Sequence, residues 1–100
     1  MIRHVVMWKF KESAEGKTRR ENMELVRERL LALPALISQI RRLEVGFDQR
    51  GTDSSYDVML LTEFDSLEDL EAYIVHPDHQ AVGAFMRPLR ESRAAIDLTV

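Results

Sequence analysis

The side chains of this chain that could do acid–base chemistry are three histidines and a tyrosine close to two of them in sequence. His76-Pro77-Asp78-His79 follows Tyr73, and His4 lies near the start of the chain. A phenol and an imidazole in a dry pocket form a plausible acid–base pair, because burial shifts the pKa of each. Cysteine is absent, which excludes disulfides, thiolate metal centres and thiol nucleophiles.

The two histidines around Pro77 have alternative interpretations. As a metal site they would offer two imidazoles and the carboxylate of Asp78, but Pro77 breaks the regular helix that would place both rings on one face. Metal binding is therefore the minor alternative, and we predict no metal site. His76 can instead cap backbone amides at the start of the last helix, with Pro77 at the first helical position. Spacing alone leaves the direction of His79 open.

His4 belongs to a predicted strand over residues 2–10, in which His4, Val6 and Trp8 share one apolar face. A lone histidine on such a face is more often a hydrogen-bonded core residue than a catalyst. Asp97 lies in the last predicted strand. It could approach His4 if the two strands are neighbours and their faces agree.

The elements between these side chains decide whether they can meet. Thr18 and Glu21 fit a capping box at the start of a helix, which Pro34 is predicted to end. Ser66 is predicted to begin a second helix. The buried stripe of that helix is predicted to consist of Leu67, Leu70 and Ile74. The remaining predicted elements are strands over 40–48, 56–64 and 93–100, and a helical stretch over 78–88.

The resulting order, βαββα(α)β, predicts an α+β fold, a ferredoxin-like sandwich that occupies residues 1–100 as a single domain. Helices cover one face of the four-stranded antiparallel sheet in this fold, and the other face stays open. Six apolar side chains are predicted on the open face: Val5, Met7, Met59, Leu61, Ile96 and Leu98. An apolar face of this size needs a partner, and the simplest closed solution is a twofold homodimer with the sheets face to face.

Composition narrows the choice of partners and compartment. The formal net charge is −3, so the chain is a poor electrostatic match for nucleic acid, and we predict no nucleic-acid partner. No apolar run approaches the ~20 residues that a membrane span needs. The amino terminus also lacks the pattern of a signal peptide. We therefore expect a cytoplasmic protein with no membrane partner.

Several segments of the chain resemble the stress-responsive α/β-barrel domain family, often called Dabb. The similar segments are residues 2–11, residues 64–70, the run from Tyr73 to His79 and Asp97 in the last strand. The pairing of an N-terminal H-x-V with a later Y-x-x-H-P-x-H is fairly specific to that family, and the resemblance covers essentially the whole chain.

The resemblance implies a dimeric α+β barrel that works without a cofactor on an unassigned small molecule. Some members are polyketide cyclases, which catalyse an aldol-type ring closure. By that resemblance His79 is the general base, Tyr73 holds the substrate carbonyl and His4 is a wall of the pocket. The expected pocket residues are His4, Val6, Trp8, Met23, Val26, Leu60, Thr62, Ile74 and Phe85.

This chain departs from the cyclases at the pocket mouth and along the first long helix. Asn22, Met23 and Val26 replace aromatic residues of that helix, and Arg90, Arg93 and Ala95 lie near the last strand. An arginine there suits an anionic ligand better than a long alkyl tail. Two other functions stay open: a non-catalytic structural stress protein and a cofactor-free monooxygenase.

Overall fold

A computed structural model describes residues 1–100. The chain forms six strands and four helices, and the main sheet has the order β4-β5-β1-β6 with every neighbouring pair antiparallel. The elements are β1 Ile2–Phe10, β2 Ser13–Ala14, β3 Lys17–Thr18, α1 Arg19–Leu31, α2 Leu33–Leu36, β4 Arg42–Phe47, β5 Val58–Phe64, α3 Leu67–Ile74, α4 Pro77–Met86 and β6 Arg90–Thr99. This is the predicted ferredoxin-like α+β fold, with β2 and β3 added as a small hairpin.

Helix caps fix where the helices begin. The predicted capping box is present, with the Glu21 amide donating to the Thr18 hydroxyl and the Thr18 amide donating to the Glu21 carboxylate. Ser66 caps α3 by accepting from the Asp69 amide at 3.1 Å. Such side-chain caps satisfy amide groups that the helix itself cannot, so they set the entry point of each helix.

Two expectations about local structure were wrong, and one element was not predicted. Pro34 does not end α1, which stops at Leu31; it lies in the first turn of α2, where the missing amide hydrogen costs nothing. Leu67 is 59% exposed, and Tyr73 takes its place in the buried stripe of α3. The hairpin of β2 and β3 was not predicted; its turn places Glu15 and Gly16 at φ 53° and 75°, as tight hairpins require.

The core fills the space between the helices and the inner face of the sheet. His4, Val6, Trp8 and Phe10 are all buried on that face of β1, as the alternation predicted. None of the four helices has the length and the apolar character that a membrane-spanning helix needs.

Two parts of the sheet are left uncovered. On the outer face Ile96 is 57% exposed and Leu98 is 39% exposed. On the helix side, β6 pairs with β1 so that Arg93 lies beside Trp8 and Asp97 beside His4, yet Arg93, Ala95 and Asp97 remain exposed. The helix layer therefore ends before it reaches β6, and the core is accessible from this edge.

Candidate functional site

A cavity of about 160 Å³ lies where the helix layer stops short of β6. Six apolar side chains form its walls: Val6, Trp8, Leu30, Leu60, Val82 and Met86. His4, His79 and Gln80 contribute its uncharged polar groups, and arginines contribute its charge. A cavity that combines apolar walls with convergent polar groups has the composition of a small-molecule site.

Five of the predicted catalytic and pocket residues line this cavity, namely His4, Val6, Trp8, Leu60 and His79. Arg90 and Arg93, noted in the sequence near the last strand, line it as well. The other proposed pocket residues, and Tyr73, lie outside it. Met23 and Val26 are buried in the core on α1. They face the sheet beneath the helix, so they support the cavity from outside it.

The remaining three proposed pocket residues act through other contacts. The Thr62 hydroxyl donates to the backbone oxygen of His4 at 3.3 Å, from the neighbouring strand. The backbone oxygen of Ile74 accepts a hydrogen bond from the His79 ring. Phe85 is half-buried, with the Arg29 guanidinium 3.9 Å from its ring centre. These three residues therefore lie around the cavity and do not line it.

His79 is held in a defined tautomer by the break between α3 and α4. The end of α3 presents the Ile74 carbonyl to His79, one turn into α4, at 3.0 Å from Nδ1. A carbonyl oxygen only accepts, so Nδ1 carries the hydrogen and Nε2 is the lone-pair nitrogen of the neutral ring. Burial lowers the pKa of His79, the Ile74 hydrogen bond opposes this, and electrostatic interactions with His4, Arg93 and His76 lower it further. His79 is therefore a neutral imidazole with one free basic nitrogen near pH 7.

His4 is anchored by a carboxylate on the neighbouring strand. Its Nδ1 makes a hydrogen bond to the Asp97 carboxylate, and the two residues are register partners across β1 and β6. The His4 ring is buried, whereas half of the Asp97 side chain remains in solvent. A carboxylate on Nδ1 fixes the ring orientation, so Nε2 is the nitrogen left for a ligand.

Tyr73 is packed behind the two histidines. Its ring centre lies 4.3 Å from that of His79, 4.9 Å from that of Phe64 and 6.2 Å from that of His4. The side chain is fully buried, and its hydroxyl is a buried polar atom with no hydrogen-bond partner in the protein. Burial raises the pKa of Tyr73 above the ordinary range of a phenol, against the opposing charge of Arg93. Tyr73 is therefore a protonated donor with no acceptor, next to a cavity that it does not itself line.

His76 has a separate task. Its Nδ1 accepts from the Asp78 amide at 3.1 Å, and Pro77 occupies the first turn of α4, which confirms the capping interpretation. His76 and His79 thus use their Nδ1 atoms on different backbone groups. No group of three or more histidine, aspartate or glutamate side chains is arranged to hold a metal ion.

Sequence reasoning missed part of the α4 side of the cavity, although its signal was present. His79, Val82, Gly83, Met86 and Arg87 all line the cavity, at the spacing of one helical face. A prediction that His79 faces the cavity would also have predicted the other four residues in the cavity wall, because they share its helical face.

Comparisons with known proteins agree with this architecture. The family model of the stress responsive A/B barrel domain matches residues 2–100. A dimeric ferredoxin-like protein of unknown function from Bacteroides fragilis is similar at 33% identity, with 99% of this chain and 95% of that chain covered and a TM-score of 0.88. A dimeric ferredoxin-like protein of unknown function from Thermobifida fusca gives 26% identity, 99% and 90% coverage and a TM-score of 0.84.

One similar structure has an activity in its description. Hydroxynitrile lyase from Passiflora edulis gives 13% identity, 99% and 92% coverage and a TM-score of 0.84, which shows a common fold alone. None of the curated proteins compared with this chain matches it. With its family model matched over nearly its full length, the chain belongs to the stress responsive A/B barrel domain family.

Proposed function

We propose that the chain is a homodimeric, cofactor-independent lyase or cyclase that removes a proton beside a carbonyl group in the His79 cavity. The observation that carries the proposal is the anchoring of His79. Its Nδ1–H is held by the Ile74 carbonyl while burial keeps the ring neutral, so Nε2 is a base with a fixed direction. A general base works best when it is unprotonated and positioned at the operating pH.

In the proposed step, His79 Nε2 takes the proton from the carbon next to the substrate carbonyl. The electron pair of the broken C–H bond moves into a carbon–carbon double bond, and negative charge develops on the carbonyl oxygen. The resulting enolate then attacks a second carbonyl carbon, forming a carbon–carbon bond, and the proton on His79 is available for the new alkoxide. Every atom of this sequence comes from the substrate and one imidazole.

Tyr73 is proposed as the donor to the carbonyl oxygen. Its hydroxyl is protonated, buried and unpaired, and a buried donor without an acceptor costs about 1–3 kcal/mol. A substrate oxygen that enters between the rings of His4 and His79 would supply that acceptor. The stabilisation would grow as the oxygen becomes negative, which is the requirement for catalysis rather than for binding alone.

The homodimer is proposed through the outer face of the sheet. Val5 and Leu61 are register partners in the middle of that face, and Met7, Ile96 and Leu98 are exposed around them. Closing two such faces on each other removes the apolar surface from water and satisfies both copies at once. The similar proteins from Bacteroides fragilis and Thermobifida fusca are described as dimeric, which supports this arrangement.

Proton removal can be tested without knowing the natural substrate. Deuterium exchange beside the carbonyl of acetoacetate, benzoylacetate and acetophenone in D₂O, followed by proton NMR, measures the step directly. We expect wild type to accelerate exchange of at least one probe above the buffer rate. His79→Gln should lose about 100-fold or more of that acceleration, the usual loss for a general base.

His76→Gln is the matched control, because His76 also touches α4 but caps the helix outside the cavity. It should keep the exchange activity within a few fold once the fraction of folded protein is matched. Exchange at the buffer rate for every probe would contradict the proposed function and favour a non-catalytic stress protein. Exchange that is equal in wild type and in His79→Gln would remove His79 from the role of base.

A further inference from the structure

Three arginines lie together where the cavity meets solvent. Arg87 follows α4, Arg90 begins β6 and Arg93 lies on the helix-facing side of β6, and all three line the cavity. The whole chain carries a net charge of −3, so this grouping runs against the overall balance.

None of the three has a partner in the protein. Ion pairs engage Arg3, Arg19, Arg20, Arg41 and Arg42. Arg27 and Arg29 lie over aromatic rings. The three arginines at the cavity make neither an ion pair nor a side-chain hydrogen bond, and no carboxylate lines the cavity.

The carboxylate of Asp97, on the same strand as Arg90 and Arg93, already makes a hydrogen bond to another residue. Asp97 lies on the same side of β6 as Arg93, but its carboxylate holds the Nδ1 of His4. Ala95, between them on that side of the strand, has a small side chain, and Arg93 and His4 line the same cavity. The charge of Arg93 is also near enough to lower the pKa of both His79 and Tyr73, after the larger effect of burial on each.

We propose that Arg93, with Arg90 and Arg87, binds the carboxylate of the ligand, so that the substrates are small carboxylic acids with an apolar body. The guanidinium group matches a carboxylate in shape and can donate two parallel hydrogen bonds to it. The apolar part of the acid then lies against Trp8 and Met86, and its reacting carbon lies toward His79. This inference names the substrate class of the proposed function and rests on it for the reaction, but not for binding.

The size of the cavity sets the scale of the acid. A volume of about 160 Å³ holds one aromatic ring or a short chain together with a carboxylate, and not a long alkyl tail. Phenylacetate and phenylacetamide are therefore suitable probes, because they have the same shape and differ in charge.

Binding of the two probes is measured by NMR titration of the histidine ring and arginine side-chain signals. We expect phenylacetate to bind about tenfold or more tightly than phenylacetamide to wild type, with the preference falling as salt is added. Arg93→Gln should remove most of that preference and leave the affinity for the amide unchanged. Arg93→Lys should restore part of it, because charge returns without the paired donors.

Arg50→Gln is the matched control, since it removes the same charge from the exposed loop between β4 and β5. It should leave the preference for the acid intact. Retained amide binding in Arg93→Gln shows that the cavity is still folded. Equal affinity of wild type for acid and amide, or an unchanged preference in Arg93→Gln, would overturn the inference.

The two proposals fail in different ways. If phenylacetate binds through Arg93 but no probe exchanges its proton, the carboxylate site stands and the proposed reaction is wrong. If acetophenone exchanges through His79 but phenylacetate binds no more tightly than phenylacetamide, the reaction stands and the carboxylate site is wrong.

Discussion

The two faces of the sheet both carry apolar side chains, but they differ in how those side chains are covered. The inner face is covered by helices and closed tightly around Phe64, except toward β6, where the cavity opens. The outer face is equally apolar at its centre, around Val5 and Leu61, but nothing in the chain covers it. The comparison teaches that the first face supplies a core and a candidate site, whereas the second presents an apolar surface that the chain itself leaves uncovered.

The strongest test of the inner face is a cavity made in the core beneath it. Phe64 is fully buried on β5 and contacts the ring of Tyr73. We expect Phe64→Ala to lower the free energy of unfolding by about 3–5 kcal/mol, because transfer and packing terms are both lost. Urea unfolding at fixed protein concentration measures the change.

Leu31→Ala is the control for that substitution, since Leu31 is 54% exposed on α1. Its loss should stay below about 1 kcal/mol. A loss in Phe64→Ala as small as that of the control would show that the inner face is not the source of stability.

The outer face is broken by placing a charge at its centre. Leu61 lies opposite Val5 on one side and Glu44 on the other. We expect Leu61→Lys to weaken the proposed dimer by about 100-fold or more, because the charge of the lysine would lose its water in the proposed interface. Light scattering over a dilution series gives the dissociation constant.

Leu31→Lys adds the same charge on the solvent side of α1 and should leave the association unchanged. Circular dichroism checks that both variants stay folded. Wild type that scatters as a monomer at micromolar concentration would contradict the proposed dimer outright.

At Tyr73 the stability of the fold and the proposed catalysis make opposite demands on one hydroxyl group. Its hydroxyl has no partner in the folded protein, so Tyr73→Phe should raise the free energy of unfolding by about 1 kcal/mol. The same change should reduce proton exchange, because the proposed donor is lost. A variant that is less stable than wild type would show that the hydroxyl is satisfied in solution.

Tyr56→Phe is the comparison for that variant, because Tyr56 is half-buried on the loop before β5 and away from the histidines. We expect it to change neither the exchange rate nor the stability by more than about 0.5 kcal/mol.

The sequence was informative where one physical pattern acted alone. Strict alternation placed His4, Val6 and Trp8 inside, and the capping box located the start of α1. The sequence was misleading where the position of a residue within its helix, and not its apolar side chain, decided whether it is buried. Leu67 is apolar and was predicted in the buried stripe of α3, but it is the first residue of that helix and is exposed.

The site was less predictable than the fold, because its position depends on where the helix layer ends over the sheet. Whether Met23 and Val26 line a cavity or support it depends on the position of α1 over the sheet, which spacing does not encode. The exposure of Arg93 on a helix-facing strand position likewise follows from the helix layer stopping before β6.

The smallest expected effect is the contribution of His79 to the pH dependence of the free energy of unfolding. Burial lowers its folded-state pKa from the ordinary value of 6.5, so between these two values the unfolded chain binds more protons than the folded chain. The free energy of unfolding therefore falls as the pH is lowered through that window, and His79 contributes no slope above it. His79→Gln should show a shallower fall than wild type between about pH 7 and pH 5. His76→Gln should keep the contribution of His79, and an equally steep fall in His79→Gln would mean that the ring is not kept neutral by the fold.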